Sequence, residues 1–138
     1  MSIDARQAIA EQMIRYSFAV DDRDPTAYLA VFTEEAELVF VGPDGAETMR
    51  MKGKSRIAKV FEAQLRHNAG QTRHLPTSPV FRSLEAERAS TRAPFIVTMI
   101  AEGRPRVLAT GCYEDQWMLS QGEWKLALRR VVLDAVPG

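Results

Sequence analysis

Cysteine occurs once, at Cys112, so the chain can form no disulfide with itself. That suits a reducing compartment, and a cytoplasmic location is the expectation. Histidine is nearly as scarce. His67 and His74 are the only two, and with a lone cysteine they offer no ligand spacing for a metal. No Gly-rich run of the G-x-G-x-x-G kind is present to cradle a phosphate. A protein without metal or nucleotide cofactor is therefore expected. An excess of one charge is also missing: 18 Lys and Arg residues balance 18 Asp and Glu. No global field draws the chain to nucleic acid or an anionic membrane, so neither is expected as a partner. The longest apolar stretches, such as Phe95–Ala101, fall far short of the ~20 residues that span a bilayer. The opening "MSIDARQ" has no basic-then-apolar pattern, so no signal peptide is expected.

What is present reads as one globular domain over residues 1–138, with 46% hydrophobic and 26% charged residues and enough length for a sizeable core. The first third is helical in pattern. From Ile9, Ala10, Met13, Ile14, Ser17 and Val20 recur at spacings that share a helix face, and Asp4 with Gln7 resembles a capping box. "DDRDP" ends that helix and begins another, with Asp24 suited to the N-cap, Pro25 to the first position, and Tyr28, Leu29 and Phe32 to the buried side. "AELVFVG" and "TMRMKG" read as strands around a "PDGAE" turn. Ser55 can cap a third helix whose inner side is Ile57, Val60, Phe61, Gln64 and Leu65, with Gly70 marking its end.

From there the pattern turns to β. Long segments at about 88–101, 105–119 and 123–135 are joined by "EGRP" and "SQGE" turns. Helices followed by an antiparallel meander make an α+β domain, helices on one face of a sheet. Both faces of the strands hold alternating hydrophobics, as "WKLALRRVVL" shows, so the uncovered outer face is expected to meet a second copy in a homodimer.

His74, in "TRHLPTSPVF", is the first candidate for chemistry. It is either a histidine at a strand start satisfied by backbone, or a general base, since imidazole titrates near neutrality and a carboxylate can set its tautomer. Pro76 and Pro79 cannot donate to a ladder, so the strand they belong to must be an edge or bulged. Asp21 lies one residue beyond Val20 on the last helical turn, where the helix dipole disfavours a carboxylate, so another interaction should compensate. Asp24 simply caps. On the last segment, strict alternation groups Arg130 with Trp124, Leu126 and Leu128, and Arg129 with Lys125, Ala127 and Val131; one of these sets faces inward. His67 suits a helix C-terminus, Cys112 a small hydrophobe in a strand, and Phe18, Phe32, Phe40, Phe61, Phe95 and Trp117 the core or a pocket lining.

In order and spacing, "AVDDRD", "VFT", "TRHLPTSPVF" and "GCYEDQW…GEWKLALRRVV" resemble the SnoaL-like branch of the NTF2-like superfamily, and are similar to scytalone dehydratase and hexachlorocyclohexane dehydrochlorinase. The resemblance spans roughly Ile9 to Asp134. It implies a cone: N-terminal helices closing a strongly curved, mainly antiparallel sheet around a pocket. It also implies that Asp21 pairs with His74 as a catalytic dyad, with Asp22 the alternative if the register differs by one. Tyr16 stands where the dehydrochlorinase has a lysine and would donate a hydrogen bond to a substrate oxygen. Arg129 aligns with an arginine that would steady a departing anion. Two departures set the chain apart from the dehydratase: Val20 precedes Asp21 where that enzyme has a tyrosine, and segment 88–101 lacks a second pocket histidine.

The function expected is proton abstraction from carbon in a neutral or weakly anionic, largely apolar small molecule. Dehydration, elimination, isomerisation or cyclisation would follow without a cofactor, as in a lyase or isomerase. Polyketide cyclases belong to the same family. The rival is a non-catalytic ligand-binding or structural subunit, like the small subunit of ring-hydroxylating dioxygenases.

Overall fold

The computed structural model describes residues 4–136. Asp4 starts α1 (Ala5–Asp21) by accepting the Arg6 N–H on its side chain at 3.1 Å. The face that α1 buries is Ile9, Met13, Tyr16 and Ser17. Ile14, expected on that face, is 42% exposed, and Phe18 is 56% exposed rather than core or pocket lining. The helix is rotated so that the Tyr16 ring points inward, while the buried Ser17 hydroxyl donates back to the Met13 carbonyl. At its end the Asp24 N–H returns to the Ala19 carbonyl and the Arg23 N–H to the Val20 carbonyl, a Schellman closure. Its left-handed position, φ 59°, is held by Arg23 instead of glycine. α2 (Pro25–Ala30) follows at once, its N-cap Asp24 accepting from the Ala27 N–H and Pro25 at its start.

β1 (Phe32–Val41) and β2 (Glu47–Lys52) form a hairpin that leads into α3 (Lys54–His67). Ser55 does not cap α3. Gly53 takes that position at φ 85°, because the chain turns out of β2 directly into the helix, and its N–H is tied to the Ala36 carbonyl at 2.8 Å. The helix closes on Asn68, two residues before Gly70, with Arg66 and His67 in its last turn where the dipole favours cations.

β3 (Thr72–Pro76) and β4 (Val80–Leu84) both pair with the long β5 (Arg88–Ala101), β3 along Phe95–Met99 and β4 along Ala89–Arg92. Residues 77–79 break the edge between them, so Pro76 and Pro79 sit where no inner strand needs their missing N–H. β6 (Arg104–Ser120) and β7 (Glu123–Leu133) complete one seven-stranded sheet of order β2-β1-β7-β6-β5-β3. β7 is parallel to β1 and antiparallel to β6. No helix among the described residues is long and apolar enough to cross a membrane.

Two local features bend this sheet. Trp117 pairs with Leu126 but Gln116 with Leu128, so Ala127 is an extra residue in β7. The bulge reverses the phase of alternation along the strand. Trp124 and Leu126 are buried before it, and Arg129 and Val131 are buried after it, while Arg130 turns outward. At Gly111, a Cβ would lie 2.1 Å from the Val132 carbonyl oxygen, so only glycine lets β6 come this close to β7. The outer face also carries charge. Glu114 joins Arg130 at 2.9 Å and lies 3.9 Å from Arg92, a charged row across three strands.

Candidate functional site

The concave face of the sheet and the three helices enclose a cavity of about 400 Å³. Its walls are mostly apolar, from Leu38, Phe40, Met51, Ile57 and Phe61 on one side to Phe95 and Val97 on the other. Into this lining come Asp21, from the last turn of α1, and His74, from the middle of β3.

The Asp21 carboxylate is the hub. One oxygen lies 2.6 Å from His74 Nδ1 and accepts from the Thr72 hydroxyl at 2.8 Å. The other accepts the His74 backbone N–H at 2.9 Å. Its side chain is 4% exposed and that of His74 18%. Asp22, the alternative, is exposed and caps α1 through its backbone. The carboxylate near the negative end of α1 is thus compensated by three donors from β3. An ionised carboxylate only accepts, so this arrangement selects the Nδ1–H tautomer of His74 and leaves Nε2 with a lone pair. Nε2 has no protein partner among the described residues. Gln71 ties the same corner together by donating to the Asp21 and Thr72 carbonyls.

Tyr16 lines the cavity and is buried, so its hydroxyl is not at the surface of the molecule. It belongs to a column of stacked groups. Phe61 stacks on Tyr28 at 4.2 Å, Tyr28 leans on Tyr16 at 5.3 Å, and Phe95 stacks on Tyr113 at 4.2 Å. Between Tyr16 and Tyr113 lies the Arg129 guanidinium, 4.2 and 3.8 Å from the two ring centres. Arg129 is fully buried and is held by Asp115 through two 2.9 Å hydrogen bonds. It does not belong to the cavity lining; the tyrosines it stacks on do. The guanidinium is committed to Asp115 and to the two rings. Its Nη1 alone is without a partner.

Burial governs the ionisation of this cluster. It pushes the Tyr113 phenol well above its usual range, with Tyr16 adding to the shift, and it does the same for Tyr28. Both remain hydrogen-bond donors through the neutral range. Burial raises the Asp115 carboxyl against the pull of Arg129; on Arg129 burial is the largest influence and opposes charge, but Asp115, Tyr16 and Tyr113 together outweigh it, so the guanidinium is held protonated. No group of three or more His, Cys, Asp or Glu side chains gathers in metal-binding geometry among the described residues.

A family model described as a SnoaL-like domain matches residues 1–130. The chain belongs to the SnoaL-like family. No curated protein matches it. Solved structures do, and three from Novosphingobium aromaticivorans illustrate the range. One is assigned as the beta subunit of an aromatic-ring-hydroxylating dioxygenase: 24% identity, TM-score 0.86, with 96% of this chain and 90% of that one covered. A second is an NTF2-like protein with a cystatin-like fold, at 20% identity and TM-score 0.78 over 93% and 80% of the two chains. A third is assigned as a scytalone dehydratase, at 22% identity and TM-score 0.77 over 92% and 82%. At these identities the likeness establishes the NTF2-like fold, and the SnoaL-like chain must be read for chemistry from its own side chains. Thr72, Tyr28 and Tyr113, which line the cavity, and Asp115, which holds Arg129 behind it, are the parts of the candidate site that sequence reasoning missed.

Proposed function

We propose that this SnoaL-like protein is a cofactor-independent enzyme of the lyase or isomerase type, acting on an apolar small molecule held in the cavity. The observation that carries the reading is the triply engaged Asp21 carboxylate oriented on His74 at the wall of an otherwise apolar chamber. His74 Nε2 takes a proton from carbon. The electron pair left behind expels a neighbouring group, shifts a double bond or closes a ring. The imidazolium then returns its proton to the leaving group or to the new carbon site, so no oxidant or reductant is needed. Asp21 supports the imidazolium while it lasts. The phenols of Tyr16, Tyr28 and Tyr113 supply donors for an oxygen on which charge develops, and a dry chamber strengthens each of these interactions.

The second reading is a non-catalytic subunit that keeps the cone. The likeness at TM-score 0.86 to a chain assigned as a dioxygenase beta subunit favours it. The two are separated by exchange of acidic C–H for deuterium in candidate ketones or elimination substrates. His74→Gln should stay folded by circular dichroism and lose about two to four orders of magnitude in rate. Wild-type exchange by folded His74→Gln, on a substrate the protein accepts, would make His74 structural and give the subunit reading the lead.

A further inference from the structure

Arg23 occupies a position where its backbone is strained. At the left-handed residue of a Schellman closure glycine is the normal occupant, and an arginine at φ 59° is strained there. Such strain persists where a side chain has a use. The side chain of Arg23 crosses from the α1–α2 turn to the end of α3, where Nη1 donates to the Asn68 carbonyl at 2.6 Å and Nη2 to the Leu65 carbonyl. Arg23, Leu65 and Asn68 all line the cavity, as does Gln64. Arg23 is exposed, so this is the solvent side of the chamber.

Capping α3 accounts for part of this, since a cation is favoured at a helix C-terminus. It does not account for the charge balance of the lining. Among the described residues of the lining Arg23 is the one Lys or Arg and Asp21 the one carboxylate, and Asp21 is already engaged by His74 and Thr72. Asp22 and Asp24 flank Arg23 in sequence, yet Arg23 has no carboxylate within ion-pair distance among the described residues. The side-chain amides of Gln64 and Asn68 also make no hydrogen bond among the described residues. An exposed guanidinium held only by neutral carbonyls, beside two free amides, forms a set of donors with no anion in it.

We propose that Arg23 is the specificity-determining residue of the cavity mouth: it receives a carboxylate, or an ionised group of the same shape, carried by the apolar ligand. The ligand's anion takes over donors that Arg23 otherwise gives to the Leu65 and Asn68 carbonyls, an ion pair replacing bonds to neutral acceptors. The substrate class of the proposed enzyme is thereby narrowed to aromatic or alicyclic acids. This inference rests on the small-molecule reading of the cavity but not on the chemistry of His74.

The test uses two probes of one shape, 2-naphthoate and 2-naphthamide, titrated calorimetrically into the full chain at neutral pH. The wild type should bind the acid about tenfold more tightly than the amide. Arg23→Gln should bring the two within about twofold while amide binding holds. Arg23→Gly, which relieves the backbone strain and is the safer variant to fold, should do the same. Equal affinities in the wild type, or a preference for the acid that survives in either folded variant, would overturn the proposal. Binding of the amide alone overturns it while sparing the small-molecule reading, whereas binding of neither probe sinks both.

Discussion

Asp21→Asn tests whether the carboxylate sets the tautomer of His74. Asparagine keeps one acceptor and turns the other into a donor, so two placements compete. In the first, its oxygen stays on Thr72 and His74 Nδ1–H, and its NH2 meets the part-buried backbone N–H of His74, now 2.9 Å from the carboxylate. Two donors then face each other and an N–H loses its partner, at a cost of about 1–3 kcal/mol beyond the lost charge-assisted bond. In the second, the oxygen stays on the His74 N–H and the NH2 faces Thr72 Oγ1 and His74 Nδ1. Both of those atoms can accept, so this placement wins. The variant should therefore be only about 1–2 kcal/mol less stable than wild type. Its His74, however, is driven to the Nε2–H tautomer and has no lone pair to offer the cavity. Activity should drop about 10⁴-fold, the size of the same effect in serine-protease triads. Nitrogen NMR of the imidazoles reads the tautomer directly, and with two histidines in the chain assignment needs only a His67→Gln control. Urea unfolding gives the stability. An unchanged Nδ1–H signal for His74 in the variant would refute the reasoning, whatever the activity did.

The Asp115–Arg129 pair offers a sharper test of stability. Asp115→Leu alone strands a buried guanidinium and should cost about 3–5 kcal/mol, whereas Asp115→Leu with Arg129→Met should recover most of it in urea unfolding; a double variant as weak as the two single losses combined would show that the pair is not coupled. Alkaline titration tests the phenols. Tyr28 and Tyr113 keep their protons in the fold at a pH where the unfolded chain gives them up, near 10.0, so their contribution is intact below that value and is lost as pH rises beyond it. Tyrosinate absorbance for those two should appear together with loss of circular dichroism, and more than one of the three tyrosines ionising in still-folded protein would contradict the burial argument.

Much of the architecture could be read before the structure because local chemistry and tertiary fold agree. Asp24 caps and Pro25 presets the first turn of α2 from local chemistry alone, and the "SQGE" turn closes the β6–β7 hairpin. The meeting of Asp21 and His74 was legible only through resemblance, since 53 residues separate them. Arg129 shows why the rest was not. A strict two-residue period cannot register one inserted residue, so the bulge at Ala127 hid which arginine faces inward. The same slip concealed Asp115, which simple hairpin counting from the turn pairs with Leu128. Ile14 and Phe18 are apolar at helical spacing yet exposed, because periodicity gives a stripe but not which way the helix is rolled against its sheet. The tyrosine column joins α1 and α2 to β6, far along the sequence, and no local pattern announces it.

The position of β7 has a consequence for how the molecule comes into being. β7, the last of the described strands in chain order, lies between β1 and β6 and joins the first hairpin to the rest of the sheet. Until residues 123–133 have emerged, β1 and β2 have no third strand, and a two-stranded hairpin alone is marginal in water. Helices α1 to α3 have no completed surface to pack on either. The order of synthesis thus runs opposite to the order in which partners become available, and the long loop closure between β1 and β7 must precede its reward. Folding should run on the slower side for a sheet of this size, with the helical half exposed until β7 docks beside β1.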